Sequence, residues 1–224
     1  MKKKIFKTKD GSPSYIINEL NETYHSRHGA LTEALHIYIE KGLASWIEKN
    51  NKKEVRIFDM GFGTGLNAYL AICFCIKNKI KLHYYTVEKF PLTIEEIKTL
   101  GMEKYLPHPE FREFFKWLHL SNWNNNIFNK DFFFHKSNSD FFDSIIDNKY
   151  DIIFYDAFGY GAQPEMWGEK ALEVCYRILK PYGYWVSYCS KGSVRRYLEK
   201  LGFIVDRLEG PPGKREILRA IKGV

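Results

Sequence analysis

The sequence contains few cysteines, and they do not form the patterns in which cysteine binds metal. Its four cysteines are Cys73, Cys75, Cys175 and Cys189. They form no CxxC pair, and no histidine stands at ligand spacing from them, so we expect no zinc and no other metal site. Buried thiols in a reducing, cytoplasmic setting fit this usage best.

Long apolar runs are also missing. No stretch approaches the ~20 apolar residues that a membrane span needs, and residues 1–10 are basic without the apolar run of a signal peptide. Hydrophobic residues make up 45% of the chain, which is enough for one compact domain. We expect residues 1–54 to form an N-terminal extension with a helix that packs on a core of residues 55–224.

Charge and aromatic content suit a nucleic-acid partner without requiring one. The formal charge is +7, and aromatic residues make up 17% of the chain. A basic balance favours an anionic partner such as RNA, and surplus aromatic rings can stack on bases. A need for solubility explains so modest a charge equally well. We therefore use the charge only to decide between functions that the other evidence supports equally.

From residue 55 onward, apolar segments alternate with helical patterns. We predict strands over 55–60, 81–87, 131–135, 150–155, 184–189, 203–208 and 217–221, and helices over 29–49, 65–76, 92–100, 107–119, 140–146, 165–179 and 192–200. The Asn-rich stretch 122–129 is typical of a loop. The last two strands are joined by too few residues for a parallel crossover. The sequence therefore predicts a doubly wound α/β fold, whose seven-stranded, mostly parallel sheet has one antiparallel strand and helices on both faces.

A glycine-rich turn gives the sharpest local signal. Asp59 ends the first core strand, and Gly61, Gly63 and Gly65 lead through Asn67 into a helix. Glycines let a ligand approach the main chain, at the sheet edge where α/β folds bind ligands. A carboxylate there would repel a pyrophosphate but could accept a hydrogen bond from the amino group of a methionine moiety. S-adenosyl-L-methionine is therefore favoured over a dinucleotide, and a purely structural turn is the alternative.

Acidic residues follow the next strands. Glu88 ends the second strand roughly 20 residues after the turn, where an acid can grip ribose hydroxyls. Asp140, after the third strand, could accept from the adenine amino group or cap the next helix. Asp156, after the fourth strand, could accept a proton from an attacking amine or orient it, with helix capping as the alternative. Trp167 belongs either to the core or to the border of a base pocket.

Several segments together resemble a known family, namely the methyltransferase domain of the bifunctional tRNA wobble-uridine enzymes MnmC and their stand-alone relatives, MnmD. The matching segments are residues 10–12, 24–26, 29–30 with Glu33, 61–67, Glu88, 156–158, 164–167, 192–196 and 214–216. The resemblance implies a Rossmann-like class I S-adenosyl-L-methionine-dependent methyltransferase. It also implies tRNA as the substrate, with 5-aminomethyl(-2-thio)uridine at the wobble position converted to the 5-methylaminomethyl form.

The resemblance also assigns the candidate residues. The expected cofactor contacts are Asp59, Gly61, Gly63, Gly65, Asn67, Glu88, Lys89, Asp140, Asp156 and Phe158, and Asp156 is the expected catalytic residue. The expected substrate contacts are Tyr24, His25, Ser26, Pro164, Trp167, Arg195, Lys214 and Arg215. We expect no FAD-dependent oxidase half, and therefore a functional link to a separate oxidase and to the enzymes that install the aminomethyl group.

One loop departs from the family pattern. After Asp156-Ala157-Phe158, the family usually has a proline two residues on and a lysine a little later, whereas residues 159–163 here read GYGAQ. Two alternatives stay open. The chain could be a small-molecule N-methyltransferase or aminopropyltransferase on the same fold, or a non-catalytic RNA-binding relative.

Overall fold

The computed structural model describes residues 2–144 and 149–224, which form two sheets and a set of helices. The strands are β1 (Lys3–Lys7), β2 (Pro13–Ile17), β3 (Glu22–Thr23), β4 (Glu54–Met60), β5 (Lys81–Val87), β6 (Asn126–Phe128), β7 (Phe132–Ser137), β8 (Tyr150–Tyr155), β9 (Leu179–Ser187), β10 (Phe203–Glu209) and β11 (Glu216–Lys222). The helices are α1 (Ala30–Ala34), a π-helical stretch (Leu35–Ala44), α2 (Ser45–Asn50), α3 (Leu66–Lys77), α4 (Ile94–Leu100), α5 (Arg112–Leu120), α6 (Glu169–Ile178) and α7 (Gly192–Lys200). Short 3-10 turns cover Asn18–Leu20, Met102–Lys104, Pro109–Phe111 and Pro164–Trp167.

The large sheet has the order β10-β11-β9-β8-β4-β5-β7-β6. Strands β9, β8, β4, β5 and β7 pair in parallel, and β11 runs antiparallel between β9 and β10. The predicted doubly wound sheet with a reversed last strand is thus confirmed. The strand count of seven was one too low, because β6 pairs antiparallel to β7 within the stretch predicted as a loop. Three residues are too few for a strand period to stand out from the surrounding asparagines.

Hydrophobic cores lie on both faces of the sheet, as expected when helices cover both. Every residue of β8 is buried, which explains why four consecutive apolar residues follow Asp151 in that segment. Its side chains alternate between the two cores, with Ile152 and Phe154 in one and Ile153 and Tyr155 in the other. The four cysteines are buried free thiols. Within the described ranges, none of the helices combines the length and apolar character that crossing a membrane requires.

The N-terminal residues form more regular structure than their mixed composition indicates. Strands β1, β2 and β3 make an antiparallel sheet, and Asp10 fixes the turn between the first two. Its carboxylate accepts hydrogen bonds from Ser12 and from the backbone and hydroxyl of Thr32 in α1. A Cβ on Gly29 would lie 2.4 Å from Asp10 Oδ2, so only glycine fits there. This turn therefore holds the extension against the start of α1.

The helix predicted over 29–49 forms from α1 to α2, but its middle is π-helical. Such stretches are rare and often lie at functional sites. Here the stretch carries Tyr38, which is buried. The helix predicted over 140–146 is not found among its described residues, because residues 141–143 form a turn; residues 145 and 146 lie outside the described ranges. The predicted boundary at residue 54 stays a prediction.

Candidate active site

A cavity of about 640 Å³ opens at the carboxyl ends of β4, β5 and β8. Its volume lies in the range of small-molecule and cofactor sites. The strands place three residues at one level, because Met60 registers with both Val87 and Tyr155. Each strand then contributes the next residue of the chain to the lining, and these residues are Gly61, Glu88 and Asp156.

The first two glycines of the turn face the cavity. Gly61 has φ +99°, and a Cβ there would lie 3.3 Å from the backbone oxygen of Asp156. Gly63 has φ +51° and donates its backbone N–H to Glu88 Oε2 at 3.0 Å. Gly65 is not part of the lining. Its φ is +73°, and a Cβ there would lie 2.9 Å from the Phe62 ring, so this glycine serves packing rather than ligand contact.

Glu88 is held at the cavity wall by the backbone. Its Oε1 accepts the N–H of Phe90 at 2.9 Å, and its Oε2 accepts that of Gly63. A carboxylate oxygen has two acceptor sites, so each oxygen can still accept a ligand hydroxyl. This geometry fits the expected ribose contact, and the two N–H bonds fix the direction of the carboxylate.

Lys89 and Asp140 are linked to each other. Lys89 lines the cavity, and its Nζ lies 2.8 Å from Asp140 Oδ2. Asp140 itself is outside the lining, although Ser139 and Phe141 belong to it. Its Oδ1 accepts the N–H of Phe142, and the hydrogen bond from Lys89 lowers its pKa. Asp140 therefore holds the turn that follows it, whereas the helix that it could have capped is not found among the described residues.

Asp59 does not reach the cavity. Its side chain is fully buried, and its Oδ2 accepts the hydroxyl of Tyr84 at 2.7 Å. Burial raises its pKa well above the ordinary value. Because Asp59 still belongs to β4, the pleat of the strand directs its side chain into the sheet's core. Asp59 is therefore not among the lining residues of the cavity, and its expected contact to a methionine amino group stays a prediction.

Asp156 lies at the centre of a hydrogen-bonded group. Tyr38 donates its hydroxyl to Oδ1 at 2.7 Å, and Asn67 donates its amide to Oδ2 at 2.9 Å. Burial raises the pKa of Asp156 to about 6, although both hydrogen bonds and the Lys214 charge act in the opposite direction. Burial also raises the pKa of Tyr38 well above its ordinary value, so its hydroxyl stays protonated and donates. A carboxylate titrating near neutrality can act as a proton acceptor.

Another part of the cavity wall combines charge with an aromatic ring. Lys214 Nζ lies 3.2 Å from Glu33 Oε2 and 4.1 Å from the centroid of Tyr188. Glu33 also accepts the backbone N–H of Ser26 at 3.0 Å. All four residues line the cavity. Lys214 and Ser26 were expected here, whereas Glu33 belonged only to the family pattern and Tyr188 was missed.

Tyr38 was missed as well, and its spacing of five residues from Glu33 explains why. Residues five apart fall on different sides of an α-helix, whereas the i→i+5 bonding of a π-helix brings them nearer to one face. A sequence read with α-helical periodicity alone therefore cannot place both side chains toward Asp156.

Aromatic side chains form a further portion of the lining. The rings of Tyr24 and Phe158 meet edge to face, with centroids 5.2 Å apart. His25 bridges Ser14 and Thr64 through its two ring nitrogens, at 3.0 and 3.1 Å. Burial lowers the pKa of His25 to about 4, so the ring is neutral at pH 7. His25 thus ties β2 to the glycine turn.

Four expected substrate contacts lie outside the lining: Pro164, Trp167, Arg195 and Arg215. Trp167 is buried and donates its ring N–H to the backbone oxygen of Phe158 at 2.7 Å, so it supports a lining residue instead of touching a ligand. Pro164 opens a 3-10 turn. Arg195 pairs with Glu199 one helical turn later, and Arg215 is exposed.

Comparison with known proteins gives matches to one group of enzymes. A family model described as S-adenosyl-L-methionine-dependent methyltransferase matches residues 136–223. The bifunctional tRNA 5-methylaminomethyl-2-thiouridine biosynthesis protein MnmC of Leptospira borgpetersenii serovar Hardjo-bovis (strain JB197) is 29% identical over 217 residues, which cover 91% of this chain. MnmC of Marinomonas sp. (strain MWYL1) is 26% identical, with 93% of this chain covered. The chain spans only 32% of the length of these relatives.

A solved structure extends the likeness to the fold. The crystal structure of MNMC2 from Aquifex aeolicus matches with a TM-score of 0.80 and 28% identity, covering 98% of this chain and 70% of that chain. The predicted resemblance and the class I methyltransferase fold are confirmed. S-adenosyl-L-methionine is accordingly the cofactor that the fold and the family imply.

Proposed function

We propose that this chain is an S-adenosyl-L-methionine-dependent methyltransferase and that it methylates the amine of 5-aminomethyl(-2-thio)uridine at the wobble position of tRNA. The observation that carries the proposal is the arrangement of Glu88 and Asp156 at the strand ends of one cavity, with Asp156 held by Tyr38 and Asn67. The likeness to MnmC and MNMC2 supports tRNA as the partner. A cytoplasmic location belongs to the proposal.

The cavity suits a nucleoside cofactor. Gly61 and Gly63 leave the main chain open to close approach, and the Glu88 carboxylate can accept two hydroxyls. When bound, S-adenosyl-L-methionine supplies an electrophilic methyl group on a sulfonium centre. Glu88, the glycine turn and the neighbouring Lys89 would hold it.

Asp156 then acts on the attacking amine. The nitrogen can form a bond to the methyl carbon only when its lone pair is free, so an ammonium group must first lose a proton. An ionised Asp156 can accept that proton or hold the amine in line with the methyl group. Tyr38 and Asn67 fix both carboxylate oxygens, and such positioning alone can contribute ~7–11 kcal/mol when reactants are well aligned.

The charged part of the cavity wall does not repel a cationic substrate. Lys214 is paired with Glu33, so its charge is compensated in the neighbourhood of Asp156. Tyr24 and Phe158 present rings to the same cavity, and aromatic rings stack on unpaired bases. The cavity thus offers an apolar contact for a uracil ring and an acidic contact for its amine.

A methyl-transfer assay tests the proposal. The purified chain is incubated with cofactor labelled in the methyl group and with tRNA whose wobble uridine carries the aminomethyl group. We expect label in the 5-methylaminomethyl nucleoside, identified by mass spectrometry after digestion. tRNA that lacks the aminomethyl group is the matched control and should remain unlabelled.

Two other substrate arms separate the alternatives. Label transferred to free small amines but not to tRNA would identify a small-molecule N-methyltransferase. Binding of both cofactor and tRNA without transfer to either substrate would instead identify a non-catalytic relative. Each of these outcomes contradicts the proposed function.

A further inference from the structure

An aromatic ring and a lysine lie together at the rim of the cavity and have no role in the site described above. Tyr160 keeps 43% of its surface exposed, and Lys191 Nζ lies 4.0 Å from the centroid of its ring. Lys191 is also exposed. We call these two residues the rim pair.

The rim pair is held close to the reaction centre by ordered backbone. Tyr160 lies in a turn closed by hydrogen bonds from the N–H groups of Ala162 and Gln163 to the backbone oxygen of Gly159, at 2.9 and 3.0 Å. The Gln163 side chain accepts the N–H of Phe158 at 3.1 Å. Phe158 and Gln163 both line the cavity, so both ends of the turn belong to its wall and Tyr160 lies between them, outside the lining.

Lys191, the second residue of the rim pair, also lies close in the chain to a residue that lines the cavity. Lys191 follows closely after Tyr188, which lines the cavity and donates its hydroxyl to the backbone oxygen of Ala157. Arg196, which is exposed, folds back toward Gly192, where a Cβ would lie 3.2 Å from its Nη1. Lys191 thus accompanies the exposed ring close to residues that line the cavity.

This combination matches the chemistry of an unpaired nucleotide. A nucleic acid that inserts one base into a cavity leaves its neighbouring bases and phosphates at the mouth. Single-stranded segments are bound by aromatic rings that stack on bases and by cations that contact the backbone. We propose that the rim pair binds the nucleotide next to the modified uridine, with Tyr160 stacking on its base and Lys191 contacting its phosphate. This inference rests on the proposed function, because it requires an RNA substrate.

The test compares tRNA affinity between variants of the full chain. Removing one stacked ring from a single-strand site should weaken tRNA binding by Tyr160→Ala about 5-fold to 150-fold. Tyr160→Trp should bind nearly as well as the unchanged protein, because it keeps an aromatic face. Lys191→Ala should reduce the slope of log affinity against log salt by about 0.7, the contribution of one phosphate contact on a single strand.

Matched controls lie at the amino ends of the strands, away from the cavity. Tyr182 is exposed near the beginning of β9, and Lys53 is exposed immediately before β4, whereas the cavity lies at the carboxyl ends of the strands. Tyr182→Ala and Lys53→Ala should leave tRNA affinity and its salt slope unchanged. Affinity for S-adenosylhomocysteine, measured by calorimetry, should be equal in all variants and reports that each is folded.

The outcomes separate this inference from the proposed function. An unchanged protein that neither binds nor methylates tRNA overturns both. A protein that methylates tRNA, but whose Tyr160→Ala variant binds tRNA like Tyr182→Ala, overturns only the role of the rim pair. Weaker binding in Tyr160→Ala that Trp restores supports the stacking contact.

Discussion

The hydroxyl of Tyr38 offers the sharpest test of how the reaction centre works. Tyr38→Phe removes one hydrogen bond to Asp156 Oδ1 and leaves the ring, which packs against Phe154 at a centroid distance of 5.3 Å. Asn67 still donates to the other oxygen. The substitution therefore changes the electrostatics of one carboxylate with little loss of packing.

The direction in which the pKa of Asp156 changes depends on which form of the carboxyl group the Tyr38 hydrogen bond stabilises. The Tyr38 hydroxyl favours the ionised carboxylate, so its loss raises the pKa of Asp156 above the value of about 6. Hydrogen bonds to charged groups contribute ~1.5–3 kcal/mol, and one pKa unit corresponds to about 1.36 kcal/mol. We therefore expect the pKa to rise by about 1 to 2. Glu33 and Lys214, which act on Asp156 in opposite directions, remain unchanged.

The assay is the pH profile of kcat/KM for tRNA methylation. If the ionised Asp156 is the active form, activity is lost as the pH falls through its pKa. The acidic limb of Tyr38→Phe should then lie about 1 to 2 pH units higher than that of the unchanged protein, with nearly equal rates at high pH. The free amine of the substrate titrates identically in both assays, so the difference between the profiles reports the protein.

Tyr15→Phe provides the control, because Tyr15 is a buried tyrosine that donates to the backbone oxygen of Glu96 rather than to Asp156. Its acidic limb should coincide with that of the unchanged protein. A Tyr38→Phe profile that is lowered equally at every pH would refute the reasoning, because it would indicate a structural role only.

Four other substitutions test separate features of the site. Asp156→Ala should lower turnover by about 100-fold or more, while its affinity for S-adenosylhomocysteine stays near normal. Glu88→Ala should mainly weaken that affinity. If calorimetry shows equal losses of affinity in both variants, the assigned roles are contradicted. Gly65→Ala should lower the free energy of unfolding by about 1–3 kcal/mol, because it places a methyl group against a buried ring at positive φ; an unchanged melting temperature would count against this. Trp167→Phe removes the hydrogen bond that holds the backbone of Phe158, so KM for tRNA should rise while cofactor affinity does not; a change confined to the cofactor would argue against this support.

Much of the fold and some of the site could be predicted because strand order determines where strand ends meet. Glu88 and Asp156 each come one residue after a parallel strand, and such positions share one edge of the sheet. Asp59 looked equivalent in the sequence, but β4 continues through Met60. Asp59 therefore lies within the strand, and the pleat directs its side chain into the core. Because successive side chains of a strand point to opposite faces, a shift of one residue reverses the direction of a side chain.

Contacts between segments that are distant in the sequence could not be predicted in this way. Trp167 and Arg195 are suitable residue types for binding RNA, yet one is buried under Phe158 and the other pairs along its own helix. Composition reports what a side chain can bind, whereas tertiary packing decides whether it is available. The strand β6 was missed for a related reason, since its pairing partner β7 contributes the pattern that its own three residues lack.

The site also crosses the boundary predicted at residue 54. The glycine turn and Glu88 come from the segment after it, whereas Tyr24, Glu33 and Tyr38 come from the segment before it. Tyr38 donates directly to Asp156, so the extension acts on the carboxylate at the reaction centre instead of only covering the core. A core of residues 55–224 would keep the expected cofactor contacts but lose one of the two donors that orient this carboxylate. The extension therefore belongs to the catalytic machinery that we propose, and substitutions in it should affect turnover more than cofactor affinity.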